Sequence, residues 1–164
     1  MSRLLKHLLH TTFATRRAFP APVQEAIRQA VAEGEYGHRG EIRFVIEGDW
    51  PLADVLAGKP VRERALEIFG LTRVWDTADN TGVLIYVLLC EHQVEILADR
   101  GLNTVAGSET WAEVCSALTA AFHGGRYEEG AVQAVRSVAD LLRRHFPAEG
   151  ENPNELPDLP LILR

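Results

Sequence analysis

Between Gly82 and Cys90 the sequence reads Val83-Leu84-Ile85-Tyr86-Val87-Leu88-Leu89, an apolar run with no proline inside it. A strand apolar at every position is covered on both faces, which predicts a central strand lying between layers of helices. Glu91-His92-Gln93 makes a turn, and Val94 to Asp99 returns with a half-exposed pattern, so the two segments form a hairpin. Upstream, Ile42, Phe44 and Ile46 alternate with Arg43 and Val45 in GEIRFVIE. Strands are thus expected at 41–47, 82–90 and 94–99. Between the first two, Pro60 opens a helix with Val61, Ala65, Leu66, Ile68 and Phe69 apolar, and Gly70 stops it. Strand, helix and apolar strand make a βαβ unit, whose strands run parallel with a right-handed crossover.

Helical spacing recurs on both sides of this unit. Ser2 caps a first helix striped by Leu4, Leu5, Leu8 and Leu9, with Phe13 beyond. It reads as a docked or partner-binding helix in preference to a membrane-surface one. Pro22 suits the first turn of a second helix carrying Val23, Ile27 and Val31. Ser108 caps a third, with Trp111, Cys115, Leu118 and Phe122 on one face. A last helix runs from Tyr127 to Arg143-Arg144-His145, acidic at its start and basic at its end, as the helix dipole favours. Pro153, Pro157 and Pro160 keep the tail out of a helix, while Leu161-Ile162-Leu163 can dock as a short strand. The reading is an N-terminal helix (1–20), an α/β domain (21–147) built as a three-layer α/β/α sandwich, and a proline-rich tail (148–164).

Composition narrows the function classes. At 164 residues and 46% hydrophobic, the chain builds one core. Net charge is −6 with Lys and Arg dispersed, which argues against nucleic acid as a partner. Cys90 and Cys115 stand outside any CxxC spacing and read as small buried hydrophobes in a reducing compartment. Apolar segments are too short for a transmembrane span, and no signal-peptide pattern opens the sequence, so a cytoplasmic location is expected.

Candidate chemistry follows from the hairpin. Its geometry brings the chain before Gly82 beside the chain after Asp99, and the first strand starts at that same end. Glu41, Asp76, Asp79, Asn80 and Asp99 gather there, oxygen donors of the kind Ca²⁺ or Mg²⁺ takes. Arg100 and the helix start at Ser108 could hold an anion. Solvated loop carboxylates are the competing reading. A rival cluster, Glu47, Asp49, Asp54, Glu91 and His92, lies at the carboxyl ends of the parallel strands, where α/β sheets usually bind ligands. No GxSxG, P-loop or GxGxxG is present. His38 reads as a surface loop residue, and Trp50 and Trp75, each on a loop with acids, as half-buried packing residues in preference to pocket-lining ones.

The segments GEIRFVIE, ALEIFGL, NTGVLIYVLL and VEILADRGL, followed by FHGGRYEEGAVQAV and the NELPDLP tail, resemble the TPM domain family in its soluble bacterial branch, over residues 23–147. The resemblance implies a mixed sheet of about four strands flanked by helices. It also implies Ca²⁺ binding in some members, weak phosphatase activity, and roles in membrane-complex maintenance in plants. Many members carry an N-terminal signal and a C-terminal membrane anchor, and this sequence shows neither pattern. Asp79 and Asp99 fall where members commonly carry polar or acidic loop residues. Three functions are expected in turn: a divalent-cation-binding protein, a weak metal-dependent acid phosphatase, and a non-catalytic module recruiting a protein through its N-terminal helix or tail.

Overall fold

In the computed structural model, which describes residues 2–150 and 153–163 with the side chain of Asn103 excepted, the chain opens with two short helices. These are α1 (Arg3–Leu9) and α2 (Thr12–Ala18), where one helix was expected. The break has a local cause. The Thr11 hydroxyl accepts the Ala14 N–H and restarts the helix, just as Ser2 accepts from Leu5 at the first start. Then follow α3 (Ala21–Glu35), β1 (Glu41–Glu47), α4 (Leu52–Leu56), α5 (Val61–Leu71), β2 (Gly82–Leu88), β3 (Gln93–Ala98), α6 (Arg100–Asn103), α7 (Ser108–His123), α8 (Tyr127–His145) and β4 (Leu161–Leu163).

The sheet order is β3-β2-β1-β4. β1 runs parallel to β2 and to β4, and β2 pairs antiparallel with β3. Helices cover both faces. Ile42, Phe44, Ile46, Val83, Ile85 and Val87 pack against Ile27 and Val31 of α3, Phe122 of α7 and Val135 and Leu142 of α8. On the other face Val45, Leu84, Tyr86, Leu88 and Leu97 meet Val61, Ala65 and Ile68 of α5 together with Trp50 and Val74. All seven residues of β2 are buried, and each large apolar one contributes about 1.5–3 kcal/mol.

Four boundaries differ from expectation, the first being β3, which lies one residue earlier than the expected 94–99. β2 ends at Leu88 because Leu89–Glu91 coil into a 3-10 turn, closed by His92 in the left-handed region at φ 51°. Ser108 is the first helical residue of α7, and Gly107 is its cap. α5 continues one residue past Gly70. The tail, of which Glu151, Asn152 and Arg164 lie outside the described residues, returns across β1 and supplies the fourth strand. Val45, Ile46 and Glu47 pair with Leu161, Ile162 and Leu163.

Candidate functional site

β1 and β2 start side by side, Glu41 opposite Gly82, and Asp99 follows β3 on the far side of Gly82. Two loops meet there. The Asp99 N–H donates to Gly82 O at 2.9 Å and the Gly101 N–H to Asn80 O at 3.0 Å. Asn80 sits in the left-handed region at φ 54°. A side chain at Gly101 would place its Cβ 2.8 Å from Asn80 O and 3.1 Å from Asp79 O, so glycine is what lets the loops close. Thr77 Oγ1 accepts the Thr81 N–H, and the Thr81 hydroxyl donates to Arg39 O.

Within this frame the expected donors divide. Asp99 is buried and caps α6, its Oδ1 accepting the Arg100 N–H at 2.7 Å, while Oδ2 is buried with no hydrogen-bond partner. The carbonyls of Asp79 and Asn80 lie against the same turn. The Asp79 carboxylate is half exposed and 3.3 Å from the Arg39 guanidinium. Asp76 and Arg100 are exposed, and Ser108 is an exposed residue facing a groove of about 730 Å³ between α5, β3 and α7. A cation here would take Asp99 Oδ2, main-chain carbonyls and water, a set a hard ion accepts. Among the described residues no group of three or more His, Cys, Asp or Glu is arranged to hold a metal ion.

Glu41 is engaged elsewhere. It is buried, its Oε2 accepts the Leu156 N–H at 3.1 Å, and Oε1 has no partner. Arg43, on the same strand and also buried, donates to the carbonyls of Pro157 and Leu159. The two side chains thus clasp the tail to β1. Burial pushes the Glu41 carboxyl up to about 7 against hydrogen bonds from the Glu155 and Leu156 backbone. Burial, with the charges of Glu41 and Asp158, pushes Glu35 up to about 8. His38, expected at the surface, is fully buried; its Nδ1 accepts the Gly40 N–H, and burial with the Arg143 charge lowers it to about 4.

These shifts act in opposite senses. The folded chain holds protons on Glu35 and Glu41 that the unfolded chain has released, so their contribution falls as pH rises from the ordinary carboxylate range to about 8. For His38 the unfolded chain binds the extra proton below its ordinary 6.5, so that contribution falls as pH drops toward 4. Above 6.5 the carboxylates dominate. Denaturation midpoints are expected to decline from about pH 6.5 to 8, and Glu35→Gln/Glu41→Gln to remove most of that slope. A flat wild-type profile contradicts the assignment.

The rival end carries the denser polar network. Glu47 is buried at the carboxyl end of β1. Its Oε2 accepts from Tyr86 Oη, from Trp50 Nε1 at 3.1 Å and from Arg64 Nε at 3.0 Å, and its Oε1 accepts from Arg64 Nη2 at 2.6 Å. Burial and the Glu47 charge push the Tyr86 phenol up, so it stays protonated and donates. Nearby, Glu91 Oε1 lies 2.7 Å from both Arg3 Nε and His7 Nε2, and the buried His7 accepts the Trp50 N–H on Nδ1. Against the upward push of burial, His7 and Arg3 hold Glu91 below the usual carboxylate range. His92 instead faces His123, with their Nδ1 atoms 3.2 Å apart.

Tyr86, Arg64, Trp50 and His7 were not legible as members of this cluster. Arg64 at the second turn of a helix after a parallel strand was the one available signal. Cys90 and Cys115 are half buried, and burial pushes their thiols up to about 12 and about 11. Cys90 lies 3.4 Å from His7 Nδ1, but that nitrogen already accepts from Trp50, so His7 is no base for the thiol.

A mixed four-stranded sheet with helices on both faces, and two loops that meet at one end of it, defines an α/β sandwich. The family model for the TPM domain matches residues 16–141, and the chain belongs to that family. The solution NMR structure of BA42 protein, from the psychrophilic bacterium Bizionia argentinensis, is similar at a TM-score of 0.76. It shares 27% sequence identity, over 87% of this chain and 93% of that one. No curated protein matches. Among the described residues, no helix is long and apolar enough to cross a membrane.

Proposed function

We propose that this TPM-domain protein binds a divalent cation, Ca²⁺ or Mg²⁺, where the Asp79–Thr81 and Asp99–Gly101 loops cross. The observation that supports the reading is the buried Asp99 Oδ2, left without a hydrogen-bond partner at the start of the turn that carries Gly101 against the Asp79 and Asn80 carbonyls. A buried carboxylate oxygen with no donor is costly, and a cation removes the cost. Asp79 would join by releasing Arg39, whereas Glu41 stays with the tail and Asp76 with solvent. Titration with Ca²⁺ or Mg²⁺ is expected to shift amide signals of residues 79–82 and 99–101 saturably. Asp99→Asn should weaken that response by about tenfold or more, since a hard ion loses an anionic ligand. Signals that stay unmoved at millimolar cation sink the proposal.

Phosphate-ester hydrolysis would build on the same cation, with Arg100 exposed beside Asp99 as the anion contact. Hydrolysis of an aryl phosphate that survives Asp79→Asn/Asp99→Asn does not belong to this end of the sheet.

A further inference from the structure

α1 is docked with its polar side inward. Arg3 and His7, one turn apart, both reach Glu91, and the Arg3 guanidinium lies 5.0 Å over the Trp50 ring. Leu4 packs inward beside them, but the other leucines do not. Leu5, Leu8 and Leu9 are 45%, 55% and 66% exposed, and they share one face of the helix by their spacing. Phe13 on α2 is 73% exposed, and Arg16 and Arg17 lie three and four residues beyond it, exposed on the same side. An ordinary docked helix buries its leucines and exposes its charges. Here the arrangement is reversed, and ion pairs and a cation–π contact hold it so.

The charge of the segment identifies what would cover that face. Arg3, Lys6, Arg16 and Arg17 precede Glu25, the first acidic residue, in a chain whose net charge is −6. Basic and apolar side chains therefore share these two helices, which carry no acid of their own; Glu91, held by Arg3 and His7, and Asp49, beside His10, reach them from other segments. We infer that the α1–α2 face docks on an anionic lipid surface, with Leu5, Leu8, Leu9 and Phe13 in the acyl boundary and Lys6, Arg16 and Arg17 among the headgroups. A bilayer offers an apolar layer under negative charge without requiring a shaped groove. Both helices are already folded and tethered, so binding need not order a coil. Repulsion between the acidic remainder and the headgroups fixes which side faces the lipid.

Flotation of the full chain with two vesicle types tests this: phosphatidylcholine alone, and phosphatidylcholine with about a third phosphatidylglycerol. Wild-type protein is expected to float with the anionic vesicles at least about tenfold better than with the neutral ones, and less well as salt rises. Leu8→Ser/Leu9→Ser/Phe13→Ser should abolish flotation, and Arg16→Ala/Arg17→Ala should lower it by roughly tenfold. Both variants alter exposed side chains, and an unchanged denaturation midpoint confirms that each is folded. Wild type left in solution at millimolar anionic lipid overturns the proposal, as does a triple-serine variant that floats normally. A wild-type dimer that the serine variant dissociates would show that a second copy covers the face, and also overturns it.

Discussion

Glu47→Ala is expected to destabilise the fold by about 3 kcal/mol, the lower end of what removing one partner of a buried ion pair costs. The carboxylate collects donors from three elements: Tyr86 on β2, Arg64 on α5 and the Trp50 indole after β1. Without it, the Tyr86 hydroxyl and the Trp50 N–H are left in a buried pocket with only each other, 3.0 Å apart. Arg64 fares better. Its side chain is 24% exposed and also holds Glu67, so it turns to water, which places the loss at the low end of the range. Urea denaturation would read the change as a shift in midpoint. Tyr86→Phe combined with Glu47→Ala should cost less than the sum of the two, because the second substitution removes the orphan the first creates. Strict additivity would mean that the phenol contributes independently of the carboxylate.

Gly82→Ala is expected to cost at least about 3 kcal/mol, through overpacking against main chain that cannot move. A Cβ there would stand 1.9 Å from Val74 O and 2.9 Å from Val74 Cγ1. Val74 is fully buried, with its N–H bonded to Phe69 O, so the loop would have to leave β2 altogether. Gly70→Ala is the matched control, since nothing lies within 4 Å of its added Cβ in the helix. It should stabilise by about 0.5–1 kcal/mol. Gly82→Ala is also expected to erase the cation titration response, because the displaced loop carries Asp79 and Asn80. Two alanines that behaved alike in denaturation would contradict the close approach at Gly82.

β2 could be read from its composition because burial of Val83 to Leu88 needs no particular partner. The order and direction of β1, β2 and β3 followed from the connections between them, and Leu161–Leu163 showed its strand character as an apolar run after Pro160. β1 was harder. Arg43 alternated with apolar positions, and Glu41 and Glu47 were read as members of the acidic clusters at the two ends of the strand, yet all three are buried. Their partners are Arg64, the Leu156 N–H and the carbonyls of Pro157 and Leu159, groups that nothing local in GEIRFVIE announces. For the same reason Glu41 was grouped with Asp79 and Asp99, when the tail in fact claims it. The convergence of the Asp79 and Asp99 loops was legible because a hairpin fixes which ends meet. Arg3 and His7 pointing inward was not, because leucine spacing in α1 gives the stripe but not the side to which it turns. The break between α1 and α2 was not read either, although Thr11 is a residue type that caps helices.

Each residue of β4 finds its β1 partner more than a hundred positions earlier in the chain. During synthesis, β1 and β2 can pair and the helices can close over them long before residues 161–163 leave the ribosome. Throughout that interval β1 shows a bare parallel edge, and Arg43 waits without the carbonyls of Pro157 and Leu159. Such an edge is a template for pairing with other nascent chains. Sealing of that edge therefore waits for the tail, and a chain cut short before Leu161 is primed to aggregate.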